Sequence, residues 1–110
     1  MKTTSFEWDE IKNHQNIQKH GISFPEATSV FYDNNAILFD DPDHSTREDR
    51  FLIIGISNKL HVCIVSHCYR ENDSIIRIIS ARKATKREVD AYNNQEGGLL
   101  KWEKNTILQS

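Results

Sequence analysis

The sequence predicts a small α+β protein in which an antiparallel β-sheet of about four strands is preceded by two helices and followed by one. Two observations carry this prediction. Helix-capping residues stand before three segments whose apolar residues follow helical spacing. Between the second and third of these segments, runs of β-branched and apolar residues are joined by short, turn-rich connectors. Such connectors form antiparallel hairpins, because parallel neighbours need a long crossover.

The N-terminal part of the chain carries the signals of one short strand and two helices. Residues 6–8 form the strand, and Asp9 is a natural N-cap for the helix that follows. Gly21 ends this helix, because glycine readily adopts the left-handed conformation of a C-terminal cap. Ser23 and Glu26 have the spacing of a capping box, which predicts a second, short helix.

Strand signals dominate the middle of the chain, and a helix follows them. The strand-like runs are 36–39, 51–56, 61–69 and 74–81. Thr85 and Glu88 form another capping box, and the helix after it has an apolar stripe that can pack on the sheet. We expect one domain over residues 1–96 and a C-terminal tail over residues 97–110.

Length and composition are those of an ordinary globular domain. The chain has 110 residues, of which 37% are hydrophobic and 27% charged. No apolar stretch approaches the roughly 20 residues of a membrane span, and the first residues lack the apolar run of a signal peptide. A cytoplasmic location is expected.

Cys63 and Cys68 lie five residues apart in one predicted strand. They are on opposite faces of it and cannot form a disulfide there.

The charge balance disfavours a large RNA-binding surface. Fourteen basic and sixteen acidic residues give a formal net charge of −2, whereas phosphate binding usually leaves a basic surplus. The charges are unevenly distributed, however. Basic residues concentrate between positions 70 and 87, and acidic residues between positions 33 and 49. A locally basic face is therefore compatible with the sequence.

Several basic side chains lie on predicted strands or at the ends of predicted elements: Lys19, His20, Arg50, Arg70, Arg77 and Arg82. A cluster of arginines could bind phosphate, because the planar guanidinium forms two parallel hydrogen bonds. In a regular strand Arg77 and Arg82 point to opposite faces, so both cannot enter one site. The more polar surroundings favour the set of Ser66, Arg70, Ser80 and Arg82. The alternative is that each arginine stem merely covers apolar surface while its head reaches water.

The other candidate residues also have alternative interpretations. His20 could transfer protons near neutral pH, or simply complement the dipole at the end of its helix. His61, Cys63 and His67 share a strand face, but no second pair completes a zinc site, which favours ordinary packing. The loop over residues 40–44 offers oxygen ligands for Mg²⁺, although such a run beside a proline is typical of a solvated turn.

Four motifs occur in order along the chain. They are Phe6-x-Trp8-Asp9-Glu10; Asn16-x-x-Lys19-His20-Gly21-Ile22-Ser23-Phe24-x-x-Ala27; Glu48-x-Arg50-Phe51 with Gly55; and Arg77-Ile78-Ile79-Ser80-Ala81-Arg82-Lys83-Ala84-Thr85-x-x-Glu88-x-x-x-Tyr92. Together they resemble the BrnT family of type II toxins. The resemblance runs from about residue 6 to residue 92, and the set of motifs is far more specific than any one of them.

The resemblance implies a RelE-like fold and an endoribonuclease that blocks translation. It implies no metal and no other cofactor, because enzymes of this kind use the 2′-hydroxyl of the RNA itself as nucleophile. It also implies a BrnA antitoxin with a ribbon-helix-helix domain. That antitoxin neutralises the toxin and represses the shared operon, so the toxin reaches operator DNA only through it.

For such chemistry we expect the following roles. Arg50, Arg70 and Arg82 hold the phosphodiester at which negative charge develops, and His20 or Lys19 transfers the proton. Arg77 and Lys83 are expected to contact RNA. The low net charge and the tail depart from the family pattern. An acidic segment that contacts the antitoxin would explain the low net charge. The alternatives are a non-catalytic RNA- or protein-binding module, and a metal-dependent nuclease that uses the 40–44 loop.

Overall fold

The computed structural model of the protein describes residues 4–41 and 49–95. Within them the elements are β1 (Ser5–Glu7), α1 (Glu10–His20), α2 (Phe24–Val30), β2 (Ile37–Asp40), β3 (Phe51–Ile56), β4 (Val62–Arg70), β5 (Ile75–Lys83) and α3 (Lys86–Asn93). The α+β class and all three predicted helices are confirmed. The predicted tail, residues 97–110, and most of the 40–44 loop lie outside the described residues.

All three helices begin where the capping residues predicted, and α1 also ends where Gly21 predicted. The Asp9 carboxylate accepts hydrogen bonds from two backbone N–H groups in the first turn of α1, and Gly21 ends that helix at a φ of 73°. Ser23 caps α2 through its hydroxyl. Thr85 and Glu88 complete the predicted capping box of α3. These ends are therefore determined by interactions that span no more than about four residues.

Within the described residues the sheet has five strands, in the order β1-β5-β4-β3-β2. The predicted hairpins are present, because β2, β3, β4 and β5 pair antiparallel in sequence order. The expectation of a purely antiparallel sheet of about four strands needs correction, however, since β1 pairs with β5 in parallel. Parallel pairing is accessible here because nearly the whole domain connects these two strands.

A β-bulge interrupts the pairing of β4 with β5. Ser66 pairs with Ser80, whereas the next residue of β4, His67, pairs with Ile78. Ile79 is thus an extra residue in β5. Such an insertion reverses the alternation of side chains on the strand that contains it.

The bulge changes which face each arginine of β5 occupies. Ile76, Ile78 and Ala81 all belong to one hydrophobic core, although 78 and 81 would lie on opposite faces of a regular strand. Arg77 and Arg82 therefore both lie on the other face of the sheet. The expectation that these two arginines point to opposite faces is wrong, because it assumed a strand without a bulge.

Each face of the sheet has its own hydrophobic core. Residues of α2 pack on one face, which we call the α2 face, and residues of α3 pack on the other, the α3 face. Cys63 belongs to the α2-face core, and strand alternation places Cys68 on the opposite face, as predicted. Both are buried thiols.

No helix within the described residues is long and apolar enough to cross a membrane.

Candidate functional site

The last turn of α1 is held against the edge of β5 by the side-chain amide of Asn16. Its Nδ2 donates to the backbone oxygens of Ile22 and Ala81, at 2.8 Å each, and its Oδ1 accepts from the backbone N–H of Ala81 at 3.2 Å. The amide thus takes the place of a neighbouring strand. Because Asn16 is buried, these bonds fix the end of α1 relative to the sheet.

Sequence reasoning quoted Asn16 as part of a motif but assigned it no role. A signal was present, since asparagine in a helix interior is intrinsically unfavourable and calls for a side-chain partner. The partner itself could not be identified, because Ala81 lies 65 positions further along the chain.

His20 and Arg82 line one small cavity on the α3 face. Its volume is about 100 Å³, and its other lining residues are Leu52, Ile64, Ser66, Ser80 and Ala81. His20 reaches it from the last turn of α1, and Arg82 from the end of β5. The structure therefore brings together four polar residues that sequence analysis selected: His20, Ser66, Ser80 and Arg82. We call this place the His20–Arg82 pocket.

The guanidinium of Arg82 is held by the carboxylate of Glu88. Two hydrogen bonds join them, Nη1 to Oε1 at 2.9 Å and Nη2 to Oε2 at 3.0 Å. The backbone N–H of Thr85 also donates to Glu88 Oε1, at 2.8 Å. Burial by itself raises the pKa of Glu88, but the hydrogen bonds from Arg82 and Thr85 outweigh it and lower that pKa. Glu88 is thus an anion that fixes the orientation of Arg82.

Arg70 and Arg77 form a second cationic group around Glu7 of β1. The Glu7 carboxylate lies 2.5 Å from Nη1 of Arg77 and 3.9 Å from Nε of Arg70. The two arginines thus lie near the end of the sheet at which β1 pairs with β5. Sequence analysis did not anticipate Glu7, because nothing local indicates that it would lie beside strand residues 70 positions away.

The two cationic groups are well separated on the α3 face. Arg77 and Arg82 pair with Cys68 and Ile64, which are four residues apart in β4, so the two arginines are about 13 Å apart along the sheet. The structure therefore does not bring Arg70 to the same point as Arg82, although both were expected at one phosphate. Both groups nevertheless lie on one face, which the bulge in β5 makes possible.

The remaining candidates lie around these groups. Lys19 is exposed in the last turn of α1, beside His20. Arg50 precedes β3 in phase with Leu52 of the α3-face core, and its backbone oxygen accepts from the N–H of Asp41 at 3.0 Å. Lys83 pairs with Cys63, and alternation therefore directs its side chain to the α2 face, away from Arg82.

The histidines of β4 and its preceding turn have other partners. His61 Nδ1 lies 2.8 Å from Oε2 of the buried Glu26, which also accepts from the Ser57 hydroxyl at 2.6 Å. His67 is fully buried, with Nδ1 3.1 Å from the Val65 backbone oxygen. In residues 4–41 and 49–95 no group of three or more His, Cys, Asp or Glu residues is placed to hold a metal ion.

The His20–Arg82 pocket has the groups needed to act on a phosphodiester. A guanidinium with a fixed orientation can bind phosphate oxygens, and an imidazole can transfer protons near neutral pH. The hydroxyls of Ser66 and Ser80 can donate further hydrogen bonds. Carboxylates accompany three of the arginines, which explains how basic side chains gather on one face of a chain with a net charge of −2.

Comparison with known proteins agrees with this description. A family model described as "Ribonuclease toxin, BrnT, of type II toxin-antitoxin system" matches residues 8–88. The chain is therefore a toxin of the type II class, whose members are paired with an antitoxin. Because the match covers well over half of its length, it belongs to the BrnT family of ribonuclease toxins.

A solved structure supports the same assignment. The chain resembles the crystal structure of the Brucella abortus ribonuclease toxin BrnT, with a TM-score of 0.58 and 29% sequence identity. The match covers 76% of this chain and 100% of the Brucella chain. The comparison with curated proteins found no match.

Proposed function

We propose that the chain is a metal-independent endoribonuclease that inhibits translation and acts in the cytoplasm, where its RNA substrate is found. The observation that carries this proposal is the convergence of His20 and Arg82, from separate elements, on one cavity in a ribonuclease toxin family member. The cavity also presents the hydroxyls of Ser66 and Ser80. Among the described residues that line the pocket none is acidic, although the carboxylate of Glu88 contacts the guanidinium of Arg82 beside it.

In the proposed reaction the 2′-oxygen of the RNA attacks the adjacent phosphorus and the 5′-oxygen leaves. Negative charge grows on the phosphoryl oxygens in the transition state, where the fixed guanidinium of Arg82 stabilises it. His20, or the adjacent Lys19, accepts the proton of the attacking 2′-hydroxyl or donates one to the leaving 5′-oxygen, and solvent water takes up or supplies the other proton. Glu88 positions Arg82 and touches no substrate atom.

Residues of the second cationic group have a separate role in this proposal. Arg70 and Arg77 contact phosphates of the same RNA strand away from the cleaved bond, because they lie too far from Arg82 to share its phosphate. Arg50 is two positions before Leu52, so strand alternation assigns it to the same face, where it extends this phosphate-binding surface. Lys83, which alternation directs to the α2 face, contributes only general electrostatic attraction.

Cleavage of a defined RNA by the purified protein tests the proposal. The wild-type chain should cleave an oligoribonucleotide to a 2′,3′-cyclic phosphate, and a single 2′-deoxy substitution at the cleaved nucleotide should stop the reaction. His20→Ala and Arg82→Ala should each lower the rate about 100-fold or more. Lys59→Ala, in the exposed β3–β4 turn, is the matched control and should cleave normally. Cleavage of the 2′-deoxy substrate would contradict the mechanism.

One observation favours a second candidate, a non-catalytic binding module. Three of the arginines already have carboxylate partners, as is common in structural ion pairs. In that case Arg82→Ala should weaken RNA binding while no cleavage is detected for either protein.

We also propose that a BrnA-type antitoxin neutralises the chain. The chain then contacts operator DNA only through that antitoxin.

A further inference from the structure

A groove with an aromatic floor lies on the face of the sheet opposite the His20–Arg82 pocket. It is lined by Leu38, Asp49, Phe51, Tyr69 and Asp73, and its volume is about 470 Å³. Strand pairing places Leu38 beside Ile53 of the α2-face core, so the groove opens on the α2 face. We call it the aromatic groove. Among residues 4–41 and 49–95 it shares no lining residue with the His20–Arg82 pocket.

The floor of the aromatic groove is rigidly supported. The rings of Phe51 and Tyr69 lie 5.3 Å apart between centroids, and both contact the buried imidazole of His67. His67 Nε2 also lies 3.3 Å from the Tyr69 hydroxyl, which fixes the tyrosine ring. Side chains with few accessible rotamers lose little entropy on binding a partner. The floor therefore has the properties of a preformed binding surface.

Apolar surface in the groove is open to solvent. Leu38, on edge strand β2, is 51% exposed, and the rings of Phe51 and Tyr69 are half-buried. Exposed apolar surface that adjoins polar groups often marks a protein interaction site. An apolar side chain inserted between Leu38 and the two rings would bury this surface.

The charged lining residues of the groove determine which partner fits. Asp49 and Asp73 are both acidic, and no basic residue lines the cavity in the described part of the chain. A phosphodiester would be repelled here, whereas lysine or arginine side chains would be attracted. The chemistry therefore favours a protein segment with an apolar anchor and adjacent basic residues over RNA.

We propose that the aromatic groove binds the protein antitoxin, an inference that rests on the proposed toxin–antitoxin function. One apolar side chain of the antitoxin occupies the space between Leu38 and the aromatic floor, and neighbouring lysine or arginine side chains contact Asp49 and Asp73. Antitoxin and RNA thus have separate contact surfaces on the two faces of the sheet.

Titration of the purified toxin with a purified BrnA-type antitoxin tests the proposal. Leu38→Lys removes the apolar contact and repels basic groups, so the dissociation constant should rise about tenfold or more. Asp49→Lys should also raise the dissociation constant of the antitoxin. The control is Leu60→Lys, because Leu60 is a 79% exposed leucine outside the groove and its replacement should leave the affinity unchanged. Thermal unfolding verifies that each variant is folded.

Each outcome has a defined meaning. Unchanged antitoxin affinity of Leu38→Lys would overturn the proposal. Weakened RNA binding at unchanged antitoxin affinity would overturn it in favour of an RNA-binding groove. A changed oligomeric state of the toxin alone, again at unchanged antitoxin affinity, would assign the groove to a second copy of the chain. If the wild-type toxin cleaves no RNA but Leu38→Lys still loses the antitoxin, the groove is supported and only the proposed activity fails.

Discussion

Arg82 on the last strand and Glu88 on the following helix form a two-pronged ion pair, with nitrogen–oxygen distances of 2.9 and 3.0 Å. Glu88 is 2% exposed and also completes the cap of α3. The helix that covers one face of the sheet is thereby connected to the arginine that lines the His20–Arg82 pocket. From the sequence, the only role predicted for Glu88 is that of a capping residue.

The first prediction concerns Glu88→Gln. Glutamine keeps the size and can still cap α3, but it lacks the negative charge that holds the guanidinium. We expect kcat for RNA cleavage to fall about tenfold while KM changes little, because orientation of Arg82 matters most in the transition state. Asp90→Asn, an exposed change in the same helix, is the control. A rise in KM at unchanged kcat would show that Glu88 does not act through the catalytic step.

The second prediction concerns the stability of the α1–β5 junction. Asn16→Ala removes three hydrogen bonds and leaves the backbone N–H of Ala81 buried without this acceptor. The free energy of unfolding should decrease by about 2–3 kcal/mol, as measured by urea denaturation. Gln15→Ala, exposed in the same helix, should change it by less than about 0.5 kcal/mol. Equal effects of the two changes would contradict the role assigned to Asn16.

The third prediction is a pH dependence of stability that arises from His67. Burial lowers its pKa from 6.5 to about 4 in the folded chain, despite the hydrogen bond to the Val65 backbone, which acts in the opposite direction. In the unfolded chain the imidazole takes up its proton near pH 6.5. The free energy of unfolding should therefore be highest above pH 6.5 and fall by up to about 3 kcal/mol as the pH approaches 4.

Chemical denaturation at a series of pH values checks this prediction. Glu26, whose pKa is also lowered, contributes mainly at lower pH, where carboxylates titrate. His67→Phe should therefore flatten the dependence between pH 6.5 and 4, while His14→Gln, an exposed change, should leave it as in the wild type. If both variants keep the wild-type slope, His67 is not its source.

The fourth prediction separates the proposed mechanism from a metal-dependent nuclease that uses the loop after β2. In the proposed mechanism the nucleophile is the 2′-hydroxyl and Arg82 stabilises the charge, so excess EDTA should leave the cleavage rate unchanged. A metal-dependent enzyme would lose activity and recover it on addition of Mg²⁺. The rate of cleavage of one oligoribonucleotide, measured with and without EDTA, decides between the two.

Sequence alone determined the helices and the hairpins of this protein. Asp9, Gly21, Ser23 and Thr85 each act on backbone groups within about four residues, so their effect can be deduced from neighbours in the chain. Short connectors likewise leave antiparallel pairing as the accessible arrangement for β3, β4 and β5. Selection of His20 and Arg82 as candidates also required only residue chemistry and position within predicted elements.

Tertiary structure alone decided how these pieces meet. The parallel pairing of β1, the Glu7–Arg77 ion pair and the Asn16–Ala81 contact join residues at least 65 positions apart, and no local signal specifies such partners. The extra residue in β5 likewise depends on how that strand packs against its neighbour, and it places Arg77 and Arg82 on one face. Local hydrogen bonds determine the elements, whereas burial of surface shared by distant segments determines their partners and register.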